Sequence, residues 1–150
     1  MWASGKKAAA SSGFDSKVSV TLSGAQSIPN VSFTIIEFDT EVYDTLGEFN
    51  TTTHKFIPQE TGWYHIHISG DTQLGGGTQE FQIHVRVDGS DAIVGMEPTA
   101  ADIYTIGSAG KDLYLTAGQE VTGIAYQSSG VAKTLRAEDW STFLTIHRFA

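Results

Sequence analysis

Two histidines one residue apart, His65 and His67, carry the sharpest chemical signal in the chain. They stand in the run Tyr64-His65-Ile66-His67-Ile68, where polar and apolar residues alternate. Residues i and i+2 share one face of a strand, so both imidazoles point the same way, opposite Tyr64, Ile66 and Ile68. Imidazole nitrogen suits Zn2+, Ni2+ or Cu2+, and the ring gains its charge across mildly acidic pH. The plainer alternative is that each ring hydrogen-bonds its neighbours or water. Asp39, Glu41, Asp44 and Glu48 offer carboxylate oxygens of the kind that hold Ca2+, but their spacing fits no EF-hand loop, and a solvated acidic loop explains them as well. Asp88, Asp91, Asp102 and Asp112 read as turn residues. Gly75-Gly76-Gly77 lacks the Lys-Ser/Thr and following helix of a phosphate loop and reads as a hairpin tip.

Nucleophilic catalysis finds no support. The chain has no cysteine and no Gly-x-Ser-x-Gly elbow, and Glu138, Asp139 and the histidines form no nucleophile-base-orienter set. A cupin-like metal enzyme would have to recruit Glu80 and His84 or His147 to the His65/His67 pair, at spacings that do not match.

The elements that must position these groups are strands. Val18, Val20 and Leu22 alternate with Ser19 and Thr21, and Val31, Phe33 and Ile35 fall on one face. Phe81, Ile83, Val85 and Val87 alternate with Gln82, His84 and Arg86, and Asp88-Gly89 then gives a hairpin signal before Ala92-Ile93-Val94. Leu113, Leu115, Val121 with Ile124, and Phe143 to Ile146 complete the set. Turn signals sit at Gly47, Gly75 to Gly77, Gly107 to Gly110, Gly118 and Gly130. Short strands, glycine turns and no amphipathic helix predict a β-sandwich or barrel.

Composition narrows the class further. At 150 residues the chain suits one domain with a real core. Its net charge of −8 excludes a role that depends on attraction to nucleic-acid phosphates. Nothing approaches a membrane span. Residues 1–16 are small and polar and read as a flexible tail or anchor to a larger assembly, ahead of a domain over 17–150. They contain no apolar run of signal-peptide length, and the lack of cysteine leans toward assembly in a reducing cytoplasm.

One stretch carries a family resemblance: Phe49-Asn50-Thr51-Thr52-Thr53-His54-Lys55-Phe56-Ile57-Pro58-Gln59-Glu60-Thr61-Gly62-Trp63-Tyr64. Further pieces follow in order across residues 17–150, namely Phe38-Asp39, Val85-Arg86-Val87-Asp88-Gly89, Leu115 to Val121 around Gly118, and Ser141-Thr142-Phe143-Leu144. Together they resemble the globular head of complement component 1q, whose jelly roll is shared with tumour necrosis factor. His54 departs from the pattern by standing where glycine is usual, and the 150 residues contain no Gly-X-Y collagen repeat.

The resemblance implies an all-β, two-sheet, ten-stranded jelly-roll sandwich that works as a homotrimer. It implies that Phe38, Phe49, Phe56, Gly62, Tyr64, Gly118 and Phe143 are the fold's signature core. It further implies that the His65/His67 face looks toward a threefold axis, with Leu144 and Ile146 as further axis candidates. Six imidazoles from three chains would then gather there as a transition-metal or pH-sensing ring. A non-enzymatic structural and recognition module follows, such as a virion fibre, decoration protein or tail-appendage tip that presents loops to a host-surface glycan or protein. A bacterial surface or exosporium-type protein is the main alternative.

Overall fold

Where apolar and polar residues alternate the chain forms strands, and no helix interrupts them among residues 15–75, 79–99 and 104–150, which the computed structural model describes. In chain order these are β1 (Lys17–Thr21), β2 (Gln26–Ile28), β3 (Thr34–Ile35), β4 (Thr40–Asp44), β5 (Phe49–Asn50) and β6 (Lys55–Phe56). There follow β7 (Gly62–Gln73), β8 (Gln79–Val87), β9 (Ser90–Thr99), β10 (Tyr104–Leu115), β11 (Val121–Gln127), β12 (Lys133–Leu135) and β13 (Phe143–Arg148). They build two antiparallel sheets. The larger runs β2-β12-β7-β13-β1-β4, with β10 on the other edge of β7. The smaller runs β5-β6-β11-β8-β9, with β3 also paired to β11. This is the expected two-sheet jelly roll. Among the described residues the segments number thirteen rather than ten, and five of them, β2, β3, β5, β6 and β12, are rim pieces of two or three residues.

The inner faces supply the core. Val18 and Val20 of β1, Tyr64, Ile66 and Ile68 of β7, and Leu144 and Ile146 of β13 come from the larger sheet. Phe81, Ile83 and Val85 of β8 and Val121 and Ala125 of β11 come from the smaller one. At about 1.5–3 kcal/mol for each large apolar side chain removed from water, these layers dominate the folding free energy.

Three local expectations change. Gly107 to Gly110 make no turn; they lie inside β10, paired with Gly70 to His67 of β7. The sheets converge there, and a Cβ on Gly107 would sit 3.1 Å from Ile83 and 3.2 Å from Phe81. The same strand carries Asp112 opposite His65, so Asp112 is a mid-strand residue rather than a turn residue. Ser16, assigned to the tail, is buried, and its carbonyl accepts a hydrogen bond from Arg148 N–H at 3.0 Å. Residues 1–14, Gly76, Gly77 and Asp102 lie outside the described residues.

The Asp88-Gly89 hairpin forms as expected, with φ of 49° and 81° at the two turn positions. His54 has φ 58°, which explains why glycine is usual at that point, and its Nδ1 lies 3.0 Å from the Phe38 carbonyl oxygen. The strand expected from Val31 shrinks to β3. Val31 itself is held at φ 53°, exposed, by a bond from its N–H to the Gln127 carbonyl at 2.8 Å. A β-branched residue is strained in that region, whereas asparagine tolerates it. Val31→Asn is therefore expected to stabilise the fold by about 1 kcal/mol, read as a higher urea midpoint at unchanged slope.

Candidate functional site

The larger sheet turns its second face outward, away from the smaller sheet. Along β7 the core takes Tyr64, Ile66 and Ile68, so Trp63, His65 and His67 project to the other side. The register sets Tyr114 beside Trp63, Asp112 beside His65 and Gly110 beside His67 on β10. On the opposite edge it sets His147 beside His65, Thr145 beside His67 and Phe143 beside Ser69 on β13. Tyr43 of β4 extends the same face through Ser19 of β1.

This face is unusually apolar for an exposed sheet. Trp63 is 45% exposed, Tyr114 58%, Tyr104 57%, Ile106 46% and Tyr43 48%. Trp63 and Tyr114 pack edge to face with ring centres 5.5 Å apart. A one-sided antiparallel sheet normally shows water a polar face.

The histidines sit among these aromatics, and both project as expected. His65 Nδ1 lies 2.7 Å from Asp112 Oδ1. A carboxylate can only accept, so His65 donates from Nδ1, and the lone pair of its neutral ring is then on Nε2. His67 Nε2 is 2.7 Å from Ser108 Oγ, and its ring meets Phe143 edge-on at 5.3 Å. The nearer ring to His65 across the strands is His147, at 5.4 Å between centres.

Burial, and then the neighbouring His65, hold the His67 imidazole below its ordinary value of 6.5. A ring that resists protonation in the folded state binds fewer protons there than in the unfolded chain. Its contribution is therefore whole above the unfolded value and is lost as pH falls below it. His67→Asn is expected to flatten the decline in melting temperature between about pH 6.5 and 5 relative to the parent. Parallel declines would remove His67 as the cause.

Leu144 and Ile146 do not belong to this face. They are 1% exposed and pair with Ile68 and Ile66, so they point into the sandwich. Phe143, expected as core, instead lies half-buried on the outward side against His67. Of the other signature residues, Phe38, Phe49, Phe56, Gly62 and Tyr64 are buried. Gly118 is an exposed turn residue at φ 88°.

The acidic stretch disperses into structural roles. Asp39 accepts from Ser23 N–H at 2.7 Å, and Asp44 accepts from Phe49 N–H at 2.8 Å. Glu48 is buried between Ser16 Oγ and Gln59 N–H, while Glu41 is exposed. Among the described residues no three His, Cys, Asp or Glu side chains converge on one point. The cupin-like set is not assembled either, because Glu80 and His84 stand on β8 in the other sheet. There His84 is covered by Phe33 and paired with Asp91 at 3.2 Å.

Sequence reasoning missed Trp63, Tyr114 and His147 as members of one face. Trp63 was within reach, because it shares strand parity with His65 and His67. The others depend on strand register.

No family model and no curated protein sequence matches the chain. Solved structures do. The globular domain of zebrafish complement 1qA protein superposes with a TM-score of 0.66 at 11% identity, over 90% of this chain and 98% of that one. Murine APRIL gives 0.69 at 13% identity, over 89% and 98%. Eiger TNF from S. frugiperda gives 0.68 at 11% identity, over 91% and 93%. Across almost its whole length, this chain has the jelly-roll fold of complement 1q heads and TNF proteins.

Proposed function

We propose that the protein is a non-enzymatic homotrimeric recognition module that assembles through the outward face of the larger sheet. The apolar exposure of Trp63, Tyr104, Ile106 and Tyr114 carries this reading. Large exposed apolar patches mark interaction surfaces, and a closed threefold ring covers such a patch on every chain without leaving an open-ended one. The smaller sheet and the rim loops stay free for a ligand.

A virion fibre, decoration or tail-appendage role, with a glycan or protein of the host surface as ligand, fits a cysteine-free acidic chain of this fold. No helix among the described residues is long and apolar enough to cross a membrane. Light scattering at micromolar concentration is expected to give three times the chain mass, and Ile106→Glu/Tyr114→Lys is expected to give the single-chain mass. A monomeric parent would end the trimer reading. A glycan array probed with the parent tests the ligand class.

A further inference from the structure

Three neighbouring strands put His147, His65 and Asp112 in one row across the outward face of the larger sheet. His147 on β13 is the register partner of His65 on β7, and Asp112 on β10 is its partner on the other side. We propose that His65 and His147 form a two-nitrogen chelate for a divalent transition-metal ion, with Asp112 fixing the His65 ring.

The geometry fits one ion between the rings. Zinc-to-nitrogen bonds of about 2.0–2.1 Å at a near-tetrahedral angle place two imidazole centres about 5 Å apart. The observed separation is 5.4 Å, with the ring planes inclined by 41°. Asp112 has the part that outer carboxylates play at metal-bound histidines: it accepts the hydrogen bond from Nδ1–H, fixes the tautomer and raises the basicity of Nε2. The His147 imidazole makes no hydrogen bond or ion pair among the described residues, so a metal ion bound there breaks no existing side-chain bond. In the single chain both imidazoles are open to solvent, with the His65 side chain 43% exposed.

His67 is the weaker candidate. Its Nε2 is engaged by Ser108 and its ring is wedged against Phe143. The structure thus moves the expected pair from two residues on one strand to two residues on adjacent strands. Lys17, the register partner of His147 on β1, is the nearest like-charged competitor along the row, against a chain whose net charge of −8 favours cations. Two protein nitrogens leave positions for water or for a group from a neighbouring chain. Such open nitrogen sites take Cu2+ most tightly, with Ni2+ and Zn2+ weaker. The site is complete within one chain and does not depend on the trimer.

The test is calorimetric titration of the full, tag-free chain with Cu2+ and with Zn2+, together with electron paramagnetic resonance of the copper form. One ion per chain is expected, with a spectrum of two equivalent imidazole nitrogens. His65→Asn and His147→Asn should each weaken binding at least tenfold, and Asp112→Asn by about tenfold. His67→Asn should leave affinity within about twofold of the parent, since it supplies no ligand. The proposal is overturned if micromolar metal does not bind. It is equally overturned if His65→Asn/His147→Asn keeps the parent's affinity, or if His67→Asn matches the loss in His147→Asn. Light scattering on the same samples reports the oligomer, so failure of the metal site and failure of the trimer register separately.

Discussion

Asp71→Ala is expected to lower the unfolding free energy by about 3 kcal/mol, more than any surface substitution in the protein. Asp71 lies on the outward side of β7, yet it is fully buried, because the segment 136–142 folds over that end of the sheet. Its Oδ2 accepts from Arg136 Nη1 and from Ser141 Oγ, each at 2.9 Å. Its backbone is tied to the same segment, with N–H donating to Thr142 Oγ1 at 3.2 Å and C=O accepting from Arg136 N–H at 2.8 Å. Ser69 Oγ donates to the Ser141 carbonyl at 2.7 Å and completes the clasp.

Removing the carboxylate leaves the Ser141 hydroxyl only the Glu138 carbonyl at 3.5 Å, and Arg136 only the Glu138 side chain at 3.2 Å and the Tyr104 ring at 4.2 Å. The arginine is partly exposed, and Asp71 Oδ1 has no hydrogen-bond partner among the described residues, so the loss belongs at the low end of the range for broken buried pairs. Asp71→Asn keeps an acceptor for Ser141 and should lose only about half as much. Urea unfolding of both variants, and of Arg136→Ala in a double-mutant cycle, measures the coupling. A loss under about 1 kcal/mol in Asp71→Ala would mean that the clasp holds by its backbone bonds alone.

Local pattern carried the architecture further than it carried the site. On β7 a strict alternation of Tyr64, Ile66 and Ile68 with His65 and His67 admits one assignment of faces, and the structure has that one. On β13, Phe143 and Leu144 are both apolar, so parity is ambiguous until Leu144 is known to pair with Ile68. The axis roles given to Leu144 and Ile146 failed for that reason. The glycines from Gly107 to Gly110 look like a turn by composition. The smallness of Gly107 answers instead to Ile83 and Phe81 of the opposite sheet, and that of Gly110 to Ile66 and His67 of the adjacent strand, none of which a local window contains. The pairing of His65 with His147 and Asp112 is likewise a product of register between strands distant in sequence. The departure at His54 was visible because a positive φ leaves a local trace in residue type.

Tyr64 shows why the stretch from Phe49 to Tyr64 is so recognisable, and Tyr64→Ala is expected to remove about 4 kcal/mol of stability. The ring is fully buried and meets Phe56 edge to face at 5.8 Å, joining the start of β7 to β6 in the other sheet. Its hydroxyl donates to the Glu60 carbonyl at 2.7 Å, which closes the loop between Pro58 and Gly62. Pro58 accepts from Gly118 N–H at 2.9 Å, so the same loop anchors the Gly118 turn. Gly62 faces the Ala150 carbonyl and the Arg148 side chain at a separation that leaves no space for a Cβ.

Tyr64→Phe retains the packing and loses one hydrogen bond, so about 1 kcal/mol is expected. The two variants also differ from the parent in alkali. Burial, reinforced by the Glu48 carboxylate, pushes the Tyr64 phenol above its ordinary value of 10.0. A phenol that keeps its proton longer in the folded state contributes stability that is whole below the unfolded value and lost as pH rises through it. The parent should therefore lose stability above about pH 10 by a component that Tyr64→Phe lacks. Urea midpoints measured at neutral pH and above pH 10 decide both points. Equal losses in Tyr64→Phe and Tyr64→Ala at neutral pH would place the tyrosine's worth in its hydroxyl rather than in the ring.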